Sequence, residues 1–452
     1  MTVELAPAPL LSKTYRATTA GIFALAFLFA FEAIAVATVM PVVGRELDGL
    51  PLYAIAFSAP LAVGVVATAM AGRWIDARGP GPALRIGVGL FVAGLIAAAL
   101  APSMLVFLVG RGIQGFGSGL AGVGLYVLIA RAYPEGMRAR AFTVLTSGWV
   151  LPALAGPAIA GLINDLVGWR WVFGGAPLFA IVAYFALAPA LRSTRQEGAW
   201  KNDGGRTAWA AMVAAGILGV GFAGQQNLDW WVMLAAASVA AVLLAAPRLL
   251  PKGTWLFRRG LPAVISVRGL VGAGFFGAEV YLPLALVEHR GFTPTEAGML
   301  LTTSAVAWFS GSWLAANLPF LAGKVMRVRL GAGLLAAGVG LSVLSLNAQV
   351  PVAVVVVGWA LAGLGIGMAF STLSVLLLDH SADGEEGTNS SALQINDAVA
   401  QSLWLASGSI AFAALLPVAP LWGFIAAFGG SFAIALLALL LTRQLDGAPE
   451  GV

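Results

Sequence analysis

No cysteine occurs in this chain, and histidine occurs only twice. The first absence excludes disulfides, thiolate metal sites and cysteine nucleophiles; the second leaves no histidine cluster for a metal. Charge is also scarce. Asp, Glu, Lys and Arg make up 10% of 452 residues, against roughly 25% in a soluble domain. Lysine is confined to Lys13, Lys201, Lys252 and Lys324. HExxH and GxSxG are missing, and Gly323-Lys324-Val325 fails the GK[ST] requirement of a phosphate loop, which removes the motif basis for a membrane enzyme or an ATP-driven pump. No cofactor is expected.

What remains is apolar. Hydrophobic residues make up 60% of the chain and the mean hydropathy is +0.92, which predicts an all-α integral membrane protein. The pI near 9.8 does not make nucleic acid a partner, because the basic residues sit at loop ends. Lys13 and Arg16 precede an apolar run that is too long for a signal peptide and lacks a cleavage site, so it reads as a first span.

A span needs about 20 predominantly apolar residues. Fourteen candidates lie at about 18–42, 53–72, 84–102, 104–130, 141–165, 170–191, 207–224, 229–247, 263–287, 296–318, 328–347, 351–378, 390–416 and 420–442. Nearly all Lys and Arg fall on one side of this alternation. The other side holds Arg45, Arg170 and Arg290, and Arg111 alone stands in mid-span. That bias predicts both termini in the cytoplasm.

A glycine pattern repeats. Gly110, Gly115, Gly117 and Gly119 return 248 positions later as Gly358, Gly363, Gly365 and Gly367, while Arg111 and Gln114 become Trp359 and Ala362. The offset sets span 12 against span 4. It predicts two six-helix bundles related by internal repeat, with spans 7 and 8 inserted as a hairpin. The domains are expected at 1–200, 201–255 and 256–452. Parallel halves with a binding site between them are a common transporter plan.

Ionisable groups inside a membrane are costly and mark function by default. Three carboxylates lie well inside spans: Glu32, Glu279 and Asp397. Glu32 sits among Leu28, Phe29 and Phe31, and Arg111 is its expected partner. A carboxylate balanced between burial and an arginine can load a proton from one side and release it to the other. Glu279 follows Phe275 and Phe276 on span 9. Span 13 aligns Ser390, Gln394, Asp397, Gln401 and Trp404 on one helical face, as expected of a wet cavity wall. Leu28, Phe29, Phe31, Gln114, Trp149, Phe275, Gln394 and Gln401 are the candidate lining of a substrate cavity.

Two further stretches suit moving parts. In span 5, Pro152 and Pro157 remove backbone donors, and Gly156, Ala160 and Gly161 form a small face for close packing. The turn after span 2 carries Gly72, Asp76, Arg78 and Gly79, where Asp76 can meet a neighbouring helix N-terminus or Arg78. The loop Asp379, His380, Asp383, Glu385 and Glu386 matches the basic loop from Arg131 to Arg140 in the repeat. It reads first as a solvated charge run, since exposed ion pairs are worth only about 0–1 kcal/mol, with attraction between the two loops as the alternative.

In these residues the chain resembles a major facilitator superfamily transporter of the fourteen-span drug:proton antiporter branch. The loop motif matches at Gly72, Asp76, Arg78 and Gly79, with Pro80 and Gly81 replacing the usual basic pair. The span 4 motif matches at Arg111, Gln114, Gly115 and Gly117, and the resemblance implies a proton-transfer role for Arg111. The antiporter motif matches at Gly156, Pro157 and Gly161, with Pro152 and Ala160 in place of glycines. Trp169-Arg170-Trp171-Val172-Phe173 is also typical of the branch. The resemblance implies a proton-coupled exporter of a lipophilic drug-like or lipid-like small molecule, a monomer in the inner (plasma) membrane surrounded by lipid and driven by the proton gradient. The alternative is a proton-coupled importer of a small nutrient.

Overall fold

The computed structural model describes residues 10–49, 55–194, 204–223, 230–292, 294–317, 323–415 and 420–446. Regular structure among them is entirely helical. The boundary expected at residue 200 lies outside the described residues.

The chain divides into two compact units. The first comprises Met1–Asn202 with Ala382–Ser390; the second comprises Asp203–Ser381 with Ser391–Val452. The first holds α1 (Arg16–Glu46), α2 (Ile55–Arg78), α3 (Pro80–Ala99), α4 (Met104–Ala132), α5 (Glu135–Val167), α6 (Arg170–Gly174), α7 (Ala176–Ala186) and α8 (Ala188–Ser193). The second holds α9 (Gly204–Ala223), α10 (Trp231–Ala245), α11 (Leu261–Arg290), α12 (Pro294–Asn317), α13 (Lys324–Ser342), α14 (Val352–Asp379) and α16 (Pro420–Leu441). Helix α15 (Glu386–Leu415) begins in the first unit and continues in the second.

Among the described residues, eight helices are long and apolar enough to cross a membrane. The count is nine if Ile159–Val167 and Arg170–Ala186, which meet at 117°, form one broken span. Their corner is Gly168, whose φ of 92° belongs to the left-handed region that glycine enters without steric cost. Helices α2, α5, α9, α12 and α15 are 20 to 33 residues long and stand outside that set. The span expected over 170–191 is divided into α6, α7 and α8.

Small residues seat α4 against its neighbours. A Cβ on Gly115 would collide with Pro60 of α2, and one on Gly117 with Phe91 of α3. In the second unit a Cβ on Gly363 would collide with Ser304 of α12, and one on Gly365 with Gly331 and Leu335 of α13. Without a hydrophobic drive between helices in lipid, such backbone approach is a main source of packing energy.

Candidate functional site

In the first unit, α1 and α4 bring Glu32, Arg111 and Gln114 together in a sealed cluster, with 6%, 4% and 2% exposure. Arg111 Nη1 donates to the Glu32 carboxylate and, at 2.5 Å, to Gln114 Oε1; its Nε donates to the Ala56 carbonyl at 3.2 Å. Arg111 and Gln114 are one turn apart on α4, so a single helix face supplies the cation and one acceptor. A carboxylate, an amide and a carbonyl replace the water that the guanidinium has lost, which is the condition for burying such a pair.

The aromatic surroundings of Glu32 are packed side chains. Leu28 and Phe31 are buried. Phe31 stacks on Phe27 at 6.1 Å, and Phe29 meets Phe91 of α3 edge-on at 4.8 Å. Trp149 on α5 is 49% exposed. Helix α5 runs unbroken through Pro152. Its small face meets α1: a Cβ on Gly156 would touch Ile34 and Phe31, and one on Gly161 would reach Thr38. The Pro157 side chain lies outside the described residues.

The second unit holds a further buried arginine. Arg268 on α11 is only 5% exposed. Its Nε donates to Asp397 Oδ2 at 3.0 Å and its Nη1 to the Phe370 carbonyl at 2.9 Å. It also donates to Ser374 Oγ, and its guanidinium lies 4.1 Å from the Phe370 ring centroid. Asp397 Oδ1 and Gln394 Nε2 are buried without hydrogen-bond partners among the described residues. Gln401 is half-buried and faces α11 near Gly272. The available signal was position: Arg268 falls inside the expected span 263–287, although it follows a basic linker and so reads as a helix end.

Trp359 on α14 stacks on Phe275 with centroids 5.0 Å apart and planes 16° from parallel. Phe276 and Trp308 extend the aromatic group. Glu279, one turn beyond Phe275 on α11, is half-buried and has no ion-pair partner among the described residues. Glu32 belongs to the first unit; within the second, Asp397 pairs with Arg268, and Glu279 lies about three turns further along α11 than Arg268.

Asp76 accepts hydrogen bonds from the Gly387 amide at 2.6 Å, the Thr388 amide at 2.8 Å and the Thr388 hydroxyl at 2.7 Å. The two amides lie in the first turn of α15, where free N–H groups favour an anion. Burial pushes the Asp76 carboxyl above its ordinary value, and the three hydrogen bonds oppose that shift. Gly72 supports the contact, since its carbonyl sits against Gly387. Arg78 is exposed, and Gly79 joins α2 to α3 at φ 76°. Beside it, Arg131 pairs with Glu386 at 3.1 Å. The sequence reading missed a further acid, Glu46 at the end of α1. It receives hydrogen bonds from Arg170 and, at 2.7 Å, from Trp169 Nε1, which hold its carboxyl below the usual range.

The sequence profile of the Major Facilitator Superfamily matches residues 22–404, and the chain belongs to that family of membrane-spanning transporters, which are not enzymes. It is 28% identical over 393 residues to the probable multidrug-efflux transporter Rv1634 of Mycobacterium tuberculosis (strain ATCC 25618 / H37Rv), covering 81% of this chain and 80% of that protein. It is 24% identical over 386 residues to the multidrug transporter protein MdtP of Bacillus subtilis (strain 168), covering 83% of this chain and 71% of that protein. In fold it is similar to the human organic anion transporter MFSD10 (TETRAN), with TM-score 0.70, 15% identity and coverage of 94% and 99% of the two chains. The proton:xylose symporter XylE gives TM-score 0.69 and 16% identity, with 96% of each chain covered.

Proposed function

We propose that this transporter is a proton-coupled antiporter that exports a lipophilic small molecule, drug-like or lipid-like, across the inner (plasma) membrane by alternating access. The observation that carries the reading is the sealed Glu32–Arg111–Gln114 cluster. A proton arriving at Glu32 neutralises the carboxylate that compensates Arg111. The guanidinium must then find other acceptors, and a conformation that offers them gains population. A ligand or proton shifts such an equilibrium only by its differential affinity for the two states. The names of relatives as multidrug-efflux proteins favour export over nutrient uptake.

We read the chain as fourteen spans: two six-helix halves with α9 and α10 inserted between them, and both termini in the cytoplasm. Matching contacts support the repeat. Gly115 meets Pro60 and Gly119 meets Gly64; Gly363 meets Ser304 and Gly367 meets Trp308. The members of each pair recur with nearly constant offsets.

The test is efflux of a lipophilic fluorescent substrate from proteoliposomes under an imposed pH gradient. Export that follows the gradient and stops when an ionophore collapses it supports the reading. Export indifferent to the gradient contradicts it.

A further inference from the structure

A cavity of about 380 Å³ lies wholly within the second unit, where the linker after α10 meets α11, α15 and α16. Its apolar lining includes Leu243, Phe257, Leu270, Leu403, Trp404 and Ile434. The size falls within the roughly 300–1,000 Å³ of ligand pockets.

Five polar side chains in its wall are already engaged. Thr254 Oγ1 donates to the Pro251 carbonyl at 2.7 Å, and Ser266 Oγ to the Pro262 carbonyl at 2.7 Å. Asn396 Nδ2 donates to the Ile265 carbonyl at 2.8 Å, Ser407 Oγ to the Leu403 carbonyl at 2.9 Å, and Trp404 Nε1 to Ser431 Oγ at 3.0 Å. With those donors spent inside the protein, the cavity suits a hydrocarbon occupant.

The linker that supplies Thr254, Trp255 and Phe257 to the lining has the opposite character. The linker carries Lys252, Arg258 and Arg259, all exposed, and no acidic residue between Arg248 and Gly260. The Arg258 stem packs over Gly253, whose φ is 91°. Phe257 is held at φ 53°, a left-handed conformation uncommon for a bulky residue, and its side chain lines the cavity. Leu256, between these residues, is 72% exposed. An apolar cavity beside a linker with three exposed cations, of which Arg259 also donates to Gln444 Oε1 at 3.3 Å, complements one kind of molecule already in the surroundings of a membrane protein, a lipid with a negative headgroup.

We propose that this cavity binds an anionic phospholipid from the leaflet beside the 248–260 linker. One acyl chain lies between α11 and α15, and the phosphate is held by Lys252, Arg258 and Arg259. The site gives the α10 linker a role in lipid recognition, independent of proton coupling.

Native mass spectrometry of the purified full-length protein with dioleoylphosphatidylglycerol and dioleoylphosphatidylcholine tests this. Each cation near an anionic lipid is worth about five-fold in affinity, so three imply a preference for the glycerol headgroup on the order of 100-fold. The variant Lys252→Gln/Arg258→Gln/Arg259→Gln should lose that preference. A variant neutralised elsewhere, Arg140→Gln/Arg192→Gln, should keep it. Ala400→Leu, which narrows the cavity, should weaken retention of both lipids, and soluble glycerol phosphate should not compete. Equal retention of the two lipids, preference surviving the triple substitution, or competition by glycerol phosphate would overturn the proposal. So would unchanged retention by a folded Ala400→Leu protein. If that variant does not fold, the headgroup comparison and the triple variant decide alone.

Discussion

Arg268 and Asp397 form a buried ion pair in the second unit, with Nε and Oδ2 3.0 Å apart and Asp397 Oδ1 without a hydrogen-bond partner among the described residues. Removing one member of a buried pair leaves an uncompensated charge, which costs about 3–5 kcal/mol, whereas apolar replacement of both is often neutral. Arg268→Gln should therefore lower the thermal midpoint of the detergent-solubilised protein markedly. Arg268→Met/Asp397→Leu should recover most of the loss. A double variant as unstable as the single one would mean that Arg268 acts mainly through Phe370 and Ser374.

Glycines on α3 and α4 should divide by what surrounds them. A Cβ on Gly117 would collide with the Phe91 backbone, whereas one on Gly89 would meet nothing within 4 Å. We expect Gly117→Ala to destabilise by about 1–3 kcal/mol, the usual range for overpacking. Gly89→Ala should stabilise by roughly 0.5–1 kcal/mol through helix preference. Thermal midpoints of the two variants against the parent check this, and equal shifts would contradict the packing seen on α4.

Asp76 and Glu46 should have opposite pH signatures. Burial raises the Asp76 carboxyl above its ordinary 3.8, so the folded protein binds that proton more tightly than the unfolded chain. The contribution is fully present below the ordinary aspartate range and is lost as pH rises through the raised value. Hydrogen bonds from Arg170 and Trp169 lower the Glu46 carboxyl below its ordinary 4.5. Its contribution is present above the ordinary glutamate range and is lost as pH falls through the depressed value. Thermal midpoints measured against pH should show Asp76→Asn flattening the slope on the less acidic side and Glu46→Gln flattening it on the more acidic side. Unchanged slopes in both variants would remove the basis for either assignment.

The first unit was more legible in the sequence than the second. An arginine amid a long apolar helix demands an acceptor, and α1 offers one acid at similar depth; Arg111 and Glu32 could be matched on that ground. Arg268 escaped because it follows Arg258 and Arg259, and a cation near a helix start reads as an end residue until the start is fixed at Leu261. The spacing of Gln394, Asp397 and Gln401 revealed a shared face on α15. Spacing along one helix carries no information about which side chain of another helix that face meets, so the pairing with Arg268 stayed hidden. Phe29 shows the same limit from the apolar side. Its position beside Glu32 is a property of α1, but its packing on Phe91 depends on where α3 lies.

The most direct test concerns Glu32, which holds the acid in the cluster with Arg111 and Gln114. Glu32→Gln keeps the shape and can still accept from Arg111, but it cannot exchange a proton. In proteoliposomes this variant should retain substrate exchange in the absence of a pH gradient and lose transport driven by one. Gradient-driven efflux at the parent rate by a folded Glu32→Gln protein would contradict the account.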